Sequence, residues 1–480
     1  MRKRDFQSRH AFGLASAVLL FGLGSPVVVN SSAAADFGSD CCLDLEERIA
    51  ELEATAVGSG NRRVELSISG QVSQAIAVWD DGEETNVYQV GDANSSDRLR
   101  FDGRARINQD VAVGLLLEFS LGSPSSAAFD QNNDDTGSFG LNLRQSLWYV
   151  RSRRLGSVSM GLAAPSTDDI ISYNFGATTI AGSADTRLVG TNLITRDSTL
   201  SGPAGLNSLS SGNTISLRWR RFLPQLDTPR GNLVRYDTPV IAGFTASVSW
   251  GEDDFWDVAV RHARKMGDFR FAFGAGYYEN REEEAFTFGW PRGGDNDPIS
   301  SRGNTVIRDF KGSASIIHDP TGLFASAAFV HREYAGSDLG VLTFACFSSG
   351  DAAGIRASGV ACGNRPDFDY FWVSGGIRRQ FFSIGKTSIY GEYAHSEDAI
   401  GGLNVSVRSA AGGDIDFVTR SEMDIWGLGI VQNIQAAGMD VFFSYRNFSA
   451  DVSGLESSGR RVSAPIEDTD IFFAGSRIRF

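Results

Sequence analysis

The chain is poor in proline, histidine, basic charge and long apolar runs. Proline is only 12 of 480 residues. Because proline cannot donate to a strand ladder, its scarcity leaves nearly all of the chain free to enter sheets. Beyond the first 35 residues there is no run of about eighteen apolar residues, so helices that span a membrane are excluded there. Membrane strands are not excluded, since they alternate and average out to near-neutral hydropathy. The five histidines are His10, His262, His318, His331 and His395, and no two sit at metal-ligand spacing. There is no Gly-x-Ser-x-Gly elbow, and Gly274-Ala275-Gly276 lies inside an aromatic strand pattern rather than before a helix. Neither catalysis nor a cofactor is therefore expected. Acids outnumber bases 58 to 44, for a net charge of -14. That balance argues against a nucleic-acid partner and keeps exposed loops soluble.

The N-terminus carries the one apolar stretch. Arg2, Lys3, Arg4 and Arg9 precede an apolar segment from Ala11 to Leu23, and Ala33-Ala34-Ala35 offers small residues for cleavage before Asp36. Residues 1–35 read as a secretory signal peptide. The four cysteines fall in two pairs, Cys41-Cys42 and Cys346 with Cys362, and neither pair has enough neighbouring ligands for zinc. In an oxidising compartment Cys346 and Cys362 suit a disulfide that staples one loop. Two free thiols in a flexible loop are the other reading.

Glycine is abundant at 54 residues, and aromatics reach 11%. Both suit twisted, tightly turning strands with interface girdles. Residues 36–63 read as a periplasmic helical segment: Leu45, Ile49, Leu52 and Ala56 are spaced four, three and four apart. This helix could pack on the rest of the chain or help it oligomerise. From Val64 the apolar period changes to two. Leu99, Phe101, Ala105 and Ile107 alternate with Arg98, Arg100, Asp102, Arg104 and Arg106. A turn at Asn108–Asp110 leads into Val111, Val113, Leu115 and Leu117.

The pattern recurs to the C-terminus and gives about sixteen strands, including one expected at Ile215–Trp219. Short turns alternate with long connections, as between the two rims of an outer-membrane barrel. So many charges on alternating faces cannot all be buried unpaired, but in a water-filled lumen they cost little. The fold class expected is all-β: a transmembrane antiparallel barrel over 64–480, apolar outside and polar within. Trp79, Trp250, Tyr277, Tyr278 and Tyr445, near strand ends, are candidates for interface belts.

The run Cys41-Cys42-Leu43-Asp44-Leu45-Glu46-Glu47-Arg48-Ile49 is followed by Val64–Gly70, Trp79-Asp80-Asp81-Gly82 and Asn94-Ser95-Ser96-Asp97-Arg98-Leu99-Arg100-Phe101. In these segments the chain strongly resembles the alphaproteobacterial general porins of the rhizobial and Brucella type. The resemblance implies a sixteen-stranded homotrimer in the outer membrane, in contact with its lipid and lipopolysaccharide. It implies passive flow of small hydrophilic solutes and ions; a substrate-specific channel is the alternative. The C-terminal Phe480, after alternating residues, looks like the signal read by the barrel assembly machinery.

In such porins the long loop after the fifth strand folds into the lumen. Here that connection is 164–213, with Asp168, Asp169 and Asp185, and with Ile170, Ile171, Tyr173 and Phe175 to pack it in place. Arg98, Arg100, Arg104, Arg106, Arg144, Arg218 and Arg220 are expected on the facing wall, giving a transverse field at the narrowest point. The plainer reading is that these arginines pair among themselves and with lumen water, and that the loop lies on the surface.

Overall fold

The computed structural model describes residues 64–480 except 123, 135–139, 201–205, 211–213, 253, 282–305, 336–365, 402–405, 410–413 and 457. The signal peptide, the helix expected within 36–63 and all four cysteines lie outside the described residues. Among the described residues no helix is long and apolar enough to cross a membrane.

Sixteen antiparallel strands close into a barrel. In chain order they are β1 Glu65–Asp80, β2 Arg98–Arg106, β3 Val111–Leu121, β4 Leu141–Ser152, β5 Gly156–Ala163 and β6 Gly231–Asp237. Then come β7 Phe244–Gly251, β8 Phe255–Met266, β9 Phe269–Asn280, β10 Val306–His318 and β11 Leu323–Ala335. The last are β12 Phe368–Phe382, β13 Gly385–Glu397, β14 Phe417–Ile434, β15 Met439–Leu455 and β16 Thr469–Arg479. Each pairs with its sequence neighbours, and β16 also pairs with β1, from Gln71↔Arg479 to Asp80↔Asp470. Phe480 extends this seam by exchanging backbone hydrogen bonds with Gly70 at 3.0 and 3.1 Å. A Cβ on Gly70 would come within 2.6 Å of the Phe480 ring, so the glycine makes room for the C-terminal aromatic.

Along β1, the strand Thr85–Gly91 pairs above β2 and is separated from it by a 3-10 turn at Ala93–Ser95. Turns at one rim are short. Gly267-Asp268 joins β8 to β9 in two residues, and Gly267 adopts φ +56, a conformation that suits glycine. Connections at the other rim are long, with 252–254 as the exception.

The alternation has the inside-out sense. On β8, Trp256, Val258 and Val260 are exposed while Asp257 and Ala259 are buried. On β14, Trp426, Leu428 and Ile430 are exposed and Met423 and Ile425 are buried. In water, so many exposed side chains would each forfeit roughly 1.5–3 kcal/mol of burial. Against lipid they forfeit none of it, so the exposed band is the membrane face.

Two local expectations change. Trp79 and Tyr278 point inward and are buried, whereas Trp250 is 63% exposed. The segment expected as a strand at Ile215–Trp219 is not in the barrel. Thr214–Ser216 instead pairs with Ser208–Ser210, which pairs with Ser406–Arg408 in a separate small sheet. The sixth barrel strand is Gly231–Asp237, whose outer face offers only Val234 and Tyr236 beside Asn232. Its alternation is weaker than that of Ile215, Leu217 and Trp219, so the competing segment carries the stronger periodic signal.

Candidate functional site: the lumen constriction

The connection from β5 to β6 therefore runs from 164 to 230, longer than its sequence boundaries. Its backbone is tied to inward-facing side chains of the wall. Thr167 N–H donates to Asp257 Oδ2 at 2.6 Å, Tyr173 N–H to Ser313 Oγ at 3.1 Å and Phe175 N–H to Ser315 Oγ at 2.9 Å. Further round, Lys311 Nζ donates to the Leu226 carbonyl at 3.1 Å and Tyr370 OH to the Ala184 carbonyl at 2.6 Å. Arg196 on the loop pairs with Asp81 at 2.6 Å, and both are buried. Ile170, Ile171, Leu193, Trp219, Phe222 and Leu226 form an apolar core with wall residues such as Ala259, Phe324, Trp372, Tyr390 and Phe473. The loop thus packs against β8–β16 and the upper part of β1, and a cavity remains along the start of β1 and β2–β6.

Gly274 and Gly276 on β9 make this packing possible. A Cβ at Gly274 would lie 2.7 Å from Ile170 and Tyr173, and one at Gly276 would lie 2.5 Å from Thr167. Overpacking of this kind costs about 1–3 kcal/mol. Gly274→Val is expected to lift the start of the loop and raise single-channel conductance in planar bilayers; an unchanged conductance would refute the packing role.

The open side is charged. Glu118 on β3 is fully buried and accepts from Arg100, and from Arg144 Nε at 2.8 Å. Arg144 also donates to Ser96 Oγ at 3.3 Å, and Arg98 Nε to the Ser96 carbonyl at 3.3 Å. Arg98 lies within the fields of Arg100, Arg144 and Arg230. One buried carboxylate thus serves several guanidinium groups, which leaves a surplus of positive charge on this wall.

The loop presents the opposite sign beside it. Asp168, Asp169 and Asp227 bring one carboxylate oxygen each within 4.8 Å of one another. Asp168 also pairs with Arg230 at 3.4 Å. Asp169 adopts φ +58, which Asp tolerates better than most side chains, and it is exposed while Asp168 is buried. Asp169 N–H donates to Asp227 Oδ1 at 3.1 Å. Burial, then the neighbouring Asp169, pushes the Asp168 carboxyl up to about 6. Burial, then the charges of Asp168 and Asp169, pushes Asp227 well above the carboxylate range. The cluster therefore holds protons at pH values where ordinary carboxylates do not.

The remaining expected residues fall elsewhere. Arg104 lines a lumen cavity of about 440 Å³ with Glu65, Asp102, Tyr149, Arg151 and Arg235. Arg106, two residues further at the end of β2, is exposed towards the short-turn rim. Arg218 and Arg220 are on the loop, not on the wall. Arg218 pairs with Asp130 at 2.7 Å and donates to the Asn192 carbonyl at 2.6 Å, while Arg220 lies in the 3-10 turn Trp219–Phe222. Asp185 caps the turn Thr186–Leu188 through the Arg187 N–H, and burial raises its pKa. Glu118, Asp227 and Arg230 were not singled out from sequence. Glu118 is a lone acid in an apolar run, and the last two lie beyond the expected end of the loop.

The description "Gram-negative porin" belongs to a family model that matches residues 27–453. Solved porin structures are similar to this chain at low identity. The anion-selective porin from Comamonas acidovorans is 14% identical, with a TM-score of 0.50 over 87% of this chain and 100% of that one. OmpT of Vibrio cholerae is 13% identical, with a TM-score of 0.47 over 88% and 100%. OprB of Pseudomonas putida is 10% identical, with a TM-score of 0.47 over 91% and 97%. A comparison with curated proteins found no match. A closed sixteen-stranded barrel, apolar without and charged within, and a family match over most of its length make this chain an outer-membrane channel that belongs to the Gram-negative porins.

Proposed function

We propose that the channel is a general diffusion porin of the alphaproteobacterial type, passing small hydrophilic solutes and ions passively. The observation that carries this reading is the juxtaposition at Arg230. There Asp168 of the acidic loop cluster pairs with Arg230 at 3.4 Å, and the charge of Arg230 acts in turn on Arg98, which stands beside Arg100 and Arg144. Opposed charges across a narrow aqueous path orient polar solutes and penalise apolar ones, which sieves by polarity without a dedicated binding site. Arg104 and Arg106 act lower in the lumen, as part of its electrostatic lining. Arg218, Arg220 and Asp185 hold the loop in shape.

Liposome swelling with sugars of graded size tests the reading: a smooth size cut-off supports general diffusion, and one favoured solute would replace it with a specific channel. Arg98→Ala combined with Arg100→Ala and Arg144→Ala should enlarge the conductance step and reduce anion permeability severalfold. Arg104→Ala with Arg106→Ala should change both less. Equal effects from the two sets would remove the eyelet from Arg98, Arg100 and Arg144.

A homotrimer fits the exterior. On β1, β3 and β5 the outward side chains are mostly aliphatic, as with Ile68, Val72, Ile76, Leu115 and Val158. On β8–β16 the same face carries aromatics such as Trp256, Phe310, Phe371, Trp426 and Phe472, suited to lipid interfaces. The more aliphatic face, over β1, β3 and β5, is the one that other copies would cover, and the more aromatic face would meet outer-membrane lipid and lipopolysaccharide. Phe480, seated at the seam, would be the residue read by the assembly machinery.

A further inference from the structure

We propose that the outer surface of the barrel carries a divalent metal site of the zinc class, formed by His395, Glu397 and Glu422 near the long-loop rim. It is independent of the pore. His395 and Glu397 are two apart on β13 and so share a face; Glu422 is the direct cross-strand partner of Glu397 on β14. The strand alternation turns all three away from the lumen, on the same side as Tyr393 and Trp426. One donor atom from each of the three lies within 4.8 Å of the others. Zinc–nitrogen and zinc–oxygen distances are about 2.0–2.2 Å, so modest side-chain rotations would bring these atoms onto one ion.

Two further observations single this cluster out from ordinary surface charge. The first is the second shell. His395 Nδ1 is 2.9 Å from Asp424 Oδ1, and Asp424 also accepts from Tyr393 OH. A carboxylate on one imidazole nitrogen fixes the ring and leaves Nε2 free, which is the usual arrangement behind a metal-bound histidine. The second is a stand-in cation. Arg420 donates to both Glu397, at 3.4 Å, and Glu422, so a positive group already sits between the two carboxylates. Its side chain is 58% exposed and can swing into solvent.

The row is rich in negative charge, which Arg420 and, at Asp369, His331 at 2.7 Å offset only in part. Asp369 lies opposite Glu397, Glu397 opposite Glu422 and Glu422 opposite Asp451 on successive strands. Like charges directly opposite one another destabilise a sheet. A divalent ion relieves this more fully than one flexible guanidinium. Imidazole with two carboxylates suits zinc-like ions, whereas calcium and magnesium prefer oxygen alone.

The test uses the full-length protein, stripped with EDTA in detergent and titrated calorimetrically with Zn²⁺ alone. The expected result is one site per chain that His395→Ala removes and Glu422→Gln weakens at least tenfold. Asp424→Asn should weaken it about 10–100-fold through the second shell. Arg420→Ala should leave binding intact or tighter. These side chains face outward, and heat-modifiable migration on gels reports whether each variant barrel is folded. Cysteine-borne zinc would survive His395→Ala, so a stoichiometry unchanged in that variant overturns the proposal. So does Ca²⁺ binding equal to Zn²⁺ binding and insensitive to His395→Ala, or no Zn²⁺ binding by the wild-type protein.

Discussion

Lowering the pH through about 6 is expected to cost this channel cation permeability, and Asp168→Asn with Asp227→Asn should abolish that pH dependence. Asp168 carries a carboxyl whose pKa is raised to about 6 by burial and by Asp169. It is thus ionised above that pH and neutral below it, and acidification removes negative charge from the loop side of the constriction. Arginine side chains do not lose their charge in this range, so removing negative charge from the loop moves the balance towards anions. A unit charge about 4 Å from a passing ion is worth ~1 kcal/mol even at the dielectric constant of bulk water. That corresponds to about a fivefold change in permeability ratio. The measurement is the reversal potential across a planar bilayer in a KCl gradient, at low ionic strength where screening is weakest. A wild-type permeability ratio that stays flat from about pH 5 to about pH 8 would remove Asp168 from the ion path.

Breaking the Arg446–Glu392 pair should destabilise the protein more than any surface change, and removing both charges together should restore much of the loss. Arg446 on β15 and Glu392 on β13 meet at 2.7 Å, with side chains 2% and 1% exposed. Trp372 Nε1 also donates to Glu392 at 3.0 Å, and Arg446 reaches the loop carbonyls of Ser183 and Thr186 at 3.5 Å. The pair therefore sits where the constriction loop is pressed against the wall. Arg446→Met leaves a buried carboxylate with one neutral donor, at a cost of about 3–5 kcal/mol. Arg446→Met with Glu392→Gln leaves no buried charge, and such replacements are often close to neutral. Thermal unfolding of the single and double variants gives the coupling. If the double variant is as unstable as Arg446→Met, the loss comes from the missing grip on the loop and not from the orphaned carboxylate.

Much of this protein was legible in the sequence because its information is periodic. Alternation with period two set which residues share a face, and the charges on one of those faces gave the barrel its inside-out sense from the sequence alone. The strand number of about sixteen followed from the same pattern, whereas the porin family was legible only through the resemblance of segments such as Asn94–Phe101 and is shown by the family match over residues 27–453. Trp79 and Tyr278 escaped this logic because a residue near a strand end reads the same whether it meets headgroups or the packed loop. The sixth strand escaped it because Ile215, Leu217 and Trp219 alternate more strongly than Gly231–Asp237. Leu217 and Trp219 are buried in the core that the loop builds against the wall, and periodicity does not say which partner an apolar face will find.

The chain by itself thus determined the class of structure, its orientation towards lipid and the kind of residues that line the lumen. Only the tertiary structure decided which charges meet. Glu118 lies opposite Arg100 across one hairpin, but Asp168 reaches Arg230 across 62 residues and Arg446 reaches the Ser183 carbonyl across 263. His395 finds Glu422 only because β13 and β14 pair in one register. Strand pairing and loop closure place such groups in three dimensions. Spacing along the chain carries no record of them, so the contacts proposed to set selectivity are ones that no local pattern encodes.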